Sequence, residues 1–209
     1  MRNTKEKILT ASLLLFAQKG YDSVSVTDIA DSLSITKGAL YKHYTNKRDI
    51  FNSIVAKMFE IDKQRAAIFN VPEQKYEDNP ESYKKITLKS ITDFALAQFK
   101  FWTEDEFASN FRKMLCLEQY HNPEMAELYH SCITTGPVLY LADIFSEMIK
   151  NNLLEKADCK QLALEFYSPM YLLICASDFN NGKHLISLLK RHIKRFMEFN
   201  IKKIRKPEK

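Results

Sequence analysis

Apolar residues along this chain recur three and four positions apart rather than at alternate positions, the period of a helix face turned towards a core. The first such segment carries Ile8, Ala11, Leu15 and Phe16. Thr4 stands where a cap is wanted, and Gly20 suits the left-handed position just past the end. Ser25-x-x-Asp28 then opens a short helix with Ile29, Ala30 and Leu33 on its apolar face. After a turn of three to four residues, a second short helix is expected over about Lys37–Tyr44. Asn46-x-x-Asp49 opens a long one over 47–70, with Ile50, Phe51, Ile54, Val55, Met58 and Phe59 as its stripe.

Later starts carry similar marks. Asn79-Pro80 and Asn122-Pro123 set a cap before a proline at the first helical position. Thr103-x-x-Glu106 and Asp158-x-x-Gln161 read as capping boxes, and Gly136-Pro137 and Asn181-Gly182 as breaks. Segment 71–80 reads as a loop, and the tail beyond about 204 should fray. The pattern predicts an all-α protein of about nine or ten helices. Residues 158–179 are apolar around most of the helix, so more than one side must be covered. The last helix, 183–204, adds a further stripe. One apolar face can meet the core and a second a twin subunit, which makes a twofold homodimer the economical expectation. The interface expected on these two helices comprises Leu162, Phe166, Leu173, Leu185, Leu189, Ile193 and Phe196.

Composition narrows the reading. The 209 residues are 45% apolar and 27% charged, a globular balance, and include only four Gly and six Pro. So few turn formers argue against all-β folds and against glycine-rich phosphate loops. No single apolar run approaches the roughly 20 residues of a membrane span, and the N-terminus lacks a cleavage site, so a cytoplasmic protein without a membrane partner is expected. Cys116, Cys132, Cys159 and Cys175 have no close-ligand spacing, which predicts buried free thiols and no metal site. The net charge of +5 is unevenly spread: residues 1–50 carry +3, 51–182 carry −6 and 183–209 carry +8. That distribution suits a molecule of which only part faces a polyanion.

The chemistry concentrates between Ser25 and Tyr44, which read as a helix-turn-helix. Thr36, Lys37 and Gly38 form the N-terminal end of its second helix, where unpaired N–H groups and the positive end of the dipole favour phosphate. Tyr41, Lys42, His43 and Tyr44 add cationic and hydroxyl donors. Tyr41 and Tyr44, three apart, would share one face, and Lys47 begins the next helix.

Ile8, Leu9, Ala11, Leu15, Phe16, Gly20, Tyr21, Ile29, Ala30, Lys37, Gly38, Leu40, Tyr41, His43 and Lys47 match a family pattern at fixed spacing. Residues 4–51 thereby resemble the DNA-binding domain of TetR-family transcriptional repressors. Ser12 replaces an alanine of the pattern, Tyr44 a phenylalanine and Ser34 a turn glycine. The resemblance implies a DNA-binding domain over 1–60 and a helical ligand-binding and dimerisation domain over 61–209. It also implies backbone and groove contacts from Thr36, Lys37, Gly38, Tyr41, His43 and Lys47, with Ser25 and Thr27 on phosphate. Tyr44 is counted with this set. Ala39 and Lys42 fall at variable family positions, where Ala39 suits a thymine methyl and Lys42 a guanine edge.

Aromatic residues and methionines of the C-terminal region are the expected wall of a ligand pocket: Phe99, Trp102, Phe107, Phe111, Met114, Tyr140, Tyr167, Met170 and Tyr171, with Glu118 to orient a ligand. An acidic, aromatic-rich region suits a lipophilic or cationic inducer. The function expected is a dimeric repressor released from a palindromic operator by a small molecule, with no cofactor. The alternatives are a helical adaptor that binds a protein partner, or an all-helical enzyme. No catalytic motif such as G-x-S-x-G, H-E-x-x-H or a Walker loop supports the last.

Overall fold

A computed structural model describes residues 4–73, 76–179 and 183–202. The helices are α1 (Thr4–Lys19), α2 (Val26–Ser32), α3 (Lys37–Tyr41), α4 (Lys47–Phe69), α5 (Pro80–Tyr83), α6 (Leu88–Glu104), α7 (Glu106–Glu118), α8 (Pro123–Ile133), α9 (Thr135–Lys150), α10 (Cys159–Ala176) and α11 (Lys183–Asn200). Among the described residues the only extended pairing is an isolated antiparallel bridge between Leu154 and Ile201. The protein is all-α. The expected break at Asn181-Gly182 and the fraying tail lie outside the described residues.

Several starts are made by the side chains read from sequence. Ser25 and Asp28 close a reciprocal capping box, Asp49 N–H donates to Asn46 Oδ1 at 2.8 Å, and Gln161 N–H donates to Asp158 Oδ1 at 2.9 Å. Thr103 does not cap. It lies within α6, its hydroxyl bonding back to Phe99 O, while Asp105 accepts the Ala108 N–H and starts α7. A carboxylate one residue before the helix outcompetes a hydroxyl already committed to the preceding turn.

Helix ends explain how so few glycines suffice. Gly20 has φ +85°, and Ser34, Asn70 and Asn152 also hold positive φ. At each of the last three the chain turns back onto the helix it leaves. Ile35 N–H bonds Ala30 O, Val71 N–H bonds Ala66 O, and Leu153 N–H bonds Met148 O. These are Schellman closures with Ser or Asn at the left-handed position. Gly136 admits no such substitute, because a Cβ there would lie 1.8 Å from Ser131 O.

The break expected at Gly136-Pro137 falls at Thr134, between α8 and α9. Pro137 has no N–H to give Ile133 O, and Tyr167 OH donates to that carbonyl instead, at 2.6 Å. Because only Thr134 interrupts it, Pro123–Lys150 is long and apolar enough, by length and composition, to cross a membrane. No uninterrupted apolar run had suggested this. Its Leu141, Ile144, Phe145 and Met148 are buried.

The chain divides into two compact units, one of residues up to Gln64 with Glu104–His130, the other of Arg65–Thr103 with the residues from Ser131 on. In the first, α1 packs on α2 and α7 around Ile8, Phe16, Ile29, Leu40, Phe51, Phe111 and Met114. In the second, α10 packs on α9 and α11, with Phe166 edge-on to Phe145 and Phe196 at 5.6 and 5.0 Å.

That cluster corrects the expected interface. Leu162, Phe166, Leu185, Leu189, Ile193 and Phe196 are all buried within the chain, and Leu173 is half-buried. The large apolar side chains that α10 leaves exposed are Leu164 and Leu172, in line with exposed Ser168 between them. The thiols differ from expectation too. None of the four is in a disulfide, but Cys116 is exposed and the others are half-buried.

Candidate nucleic-acid interface

The helix-turn-helix is built from its caps outward. Asp28 N–H donates to Ser25 Oγ, and Ser25 N–H and Oγ–H donate to Asp28 Oδ2. These bonds from Ser25 hold the Asp28 carboxyl below its ordinary value, against a small opposing effect of desolvation. Ser34 at φ +53° turns the chain. Thr36 then caps α3 by accepting the Ala39 N–H at 3.1 Å. Leu40 is fully buried and pins α3 to the core. Anchored by one apolar residue, this five-residue helix turns its remaining surface outward.

That surface holds most of the predicted contacts. Ser25, Thr36, Lys37, Gly38, Tyr41 and Lys42 are exposed, and Thr27, Ala39, His43 and Lys47 are half-buried. Around the first turn of α3 stand an ammonium, a glycine without side-chain bulk and two hydroxyls, a set suited to a phosphate backbone.

Tyr44 does not belong with them. It is 2% exposed, and its hydroxyl donates to Lys5 O at 3.2 Å. Burial pushes its phenol up to about 12, with smaller contributions from Glu6 and Asp49. The expectation failed because it assumed helix through residue 44. Helix α3 stops at Tyr41, so Tyr41 faces out and Tyr44 faces in.

Lys47 is more than a surface cation. Its Nζ donates to Tyr21 O at 2.8 Å and to Asp22 O at 3.4 Å, and lies 4.3 Å from the centre of the Tyr21 ring. Glu118, expected in the pocket wall, is the other surprise. It is buried, and its Oε1 accepts the Tyr21 N–H at 2.7 Å. Nothing in the local sequence marks it, since the pairing spans 97 positions.

The remaining pocket residues divide between the units. Phe107, Phe111 and Met114 lie with Glu118 in the first, while Phe99, Trp102, Tyr140, Tyr167, Met170 and Tyr171 lie in the second. Most are buried, with Phe107, Tyr140 and Tyr171 half-buried. A groove of about 470 Å³ in the second unit is lined by α6 and α11 residues, including Leu96, Ile193, Met197 and Lys190, and by none of the predicted ones. Among the described residues no group of three or more His, Cys, Asp or Glu is placed to hold a metal.

A short capped helix, a tight turn and a second helix with an exposed cationic N-terminal end define the helix-turn-helix class of DNA-binding domain. Residues 8–54 match the family model of bacterial regulatory proteins of the tetR family. Over that segment the chain is similar to the DNA-binding domains of the tetR family. It is 42% identical over 55 residues to IcaR of Staphylococcus epidermidis, the negative transcriptional regulator of the biofilm operon icaADBC. That match covers 26% of this chain and 30% of IcaR, so the chain spans under a third of that relative's length. Fold likeness reaches further. The chain resembles a TetR-family transcriptional regulator of Pectobacterium atrosepticum with a TM-score of 0.55 at 18% identity, covering 97% of this chain and 96% of the other. It resembles SmeT of Stenotrophomonas maltophilia, in a complex with triclosan, with a TM-score of 0.65 at 17% identity, covering 95% and 92%. At such identities the likeness extends to fold alone.

Proposed function

We propose that the protein is a dimeric transcriptional repressor that binds a palindromic operator and is released from it by a small molecule. The observation that carries the reading is the exposed, cation-bearing first turn of α3, presented by two capped helices. Lys37, Gly38, Thr36 and Tyr41 would meet the phosphate backbone, with Ser25, Thr27, His43 and Lys47 beside them. Ala39 and Lys42 would read base edges. Residues 1–60 would serve as the reading head and 61–209 as the region that dimerises and takes the ligand.

Repression is supported by the relative, itself named a negative regulator. A ligand is supported by the triclosan complex of SmeT, which shares the fold. The exposed Leu164 and Leu172 of α10 support a dimer, since a twofold contact needs a self-complementary apolar patch. In that dimer two reading heads would enter successive major grooves, and the ligand would act by binding one head separation more tightly than another.

The test is nuclease protection of DNA flanking the protein's own gene. An inverted repeat should be protected, and protection should weaken steeply as salt rises. Absence of specific protection there and at other inverted repeats would refute the proposal.

A further inference from the structure

Tyr21 is held from three sides inside the unit that contains the helix-turn-helix. Its N–H is bound by the buried carboxylate of Glu118, at the end of α7. Its carbonyl is bound by the ammonium of Lys47, which opens α4. Its ring packs edge-on between Phe16 and Phe51, at 5.0 and 5.4 Å, and carries the Lys47 ammonium above one face. The approach of Glu118 is close enough that a Cβ on Gly20 would lie 2.6 Å from its Oε1. Gly20 thus has two requirements at once, a positive φ and room for a carboxylate. The sequence pattern accounts only for the first.

We infer that Glu118 is a positioning residue for DNA binding, setting through Tyr21 the pose of Lys47 and the start of α4. The inference rests on the DNA-binding reading given above. A carboxyl oxygen that accepts a backbone N–H at this distance makes a directional bond, stronger where water is excluded. The peptide that donates to Glu118 is next to the carbonyl that receives Lys47, so a displacement of one bond displaces the other. A second link reaches the same turn of α4, because Arg48 pairs with Glu124 of α8. That pair is half-exposed and weak by comparison. Glu118 is the buried member and therefore the sensitive one. Helix α7 follows α6 after a single residue, Asp105, so a change in the register of α7 would be read at Lys47 without passing along α4.

Full-length protein carrying Glu118→Met keeps the buried volume and removes the acceptor, while Glu118→Gln keeps an acceptor oxygen. The Met variant should raise hydrogen exchange at the Tyr21 amide about tenfold, the scale of one buried hydrogen bond. Its operator affinity should fall by a similar factor, whereas the Gln variant should stay within about threefold of wild type. The decisive readout is a double-mutant cycle with Lys47→Met. Loss of Lys47 should weaken duplex binding in wild type and matter clearly less in the Glu118→Met background, a coupling that a general loss of stability does not produce. Effects that multiply independently, or unchanged Tyr21 protection in Glu118→Met, would overturn the inference. If wild type itself prefers no duplex, the DNA-binding reading fails instead, and Tyr21 exchange alone then decides whether Glu118 holds that peptide.

Discussion

Tyr44 shows what a single residue's surroundings decide. A tyrosine three positions from Tyr41, in a segment rich in donors, reads as a DNA contact, yet it is buried in the unit that holds the helix-turn-helix. Tyr44→Phe should therefore leave duplex affinity unchanged and cost about 1 kcal/mol of stability through the lost bond to Lys5 O, measurable by urea unfolding. Tyr44 and Tyr83 also predict alkaline behaviour. Both phenols are pushed from 10.0 to about 12, chiefly by burial, so the folded state favours their neutral forms. Their contribution to stability is complete below pH 10 and is lost as pH rises from there through about 12. Tyrosinate absorbance and helix content followed together should show these two phenols ionising only as helix is lost. Titration of every tyrosine in fully helical protein would contradict this.

At the scale of elements, several of the caps were the legible part. Ser25, Asn46 and Asp158 cap where local chemistry places them, because an N-cap is decided within three or four residues. Helix ends were less legible. Ser34 was readable as a left-handed residue, but Asn70 and Asn152, which close helices the same way, carry no local mark as plain as glycine. The α8–α9 break was read two residues late, because proline acts on the carbonyl four positions before it. Tyr167 repairs that carbonyl. Tyr167→Phe should leave Ile133 O without its donor and cost about 1–3 kcal/mol, read as a lower unfolding midpoint. An unchanged midpoint would mean that the proline break needs no repair.

At the scale of the whole molecule, sequence pattern marked apolar stripes on α10 and α11 but not whether the chain's own core or a twin covers them. Phe166 and Phe196 are apolar at helical spacing, as any dimer seam would be, and periodicity cannot tell a chain's own core from a twin's surface. Glu118 was similarly opaque, its partner lying 97 positions away. Leu164→Lys with Leu172→Lys should convert dimer to monomer by analytical ultracentrifugation while helix content is kept. Phe166→Ala should instead cost about 3–5 kcal/mol and unfold the chain. A persistent dimer in the double Lys variant would move the interface elsewhere. The central claim, that the exposed turn of α3 binds operator DNA, is met most directly by a salt titration. Duplexes selected from a random pool by the wild-type protein should converge on an inverted repeat, with log affinity falling linearly against log salt. Lys37→Ala should weaken binding to all sequences alike and reduce that slope by about one. A pool that converges on nothing, or a slope indifferent to Lys37, would contradict the account.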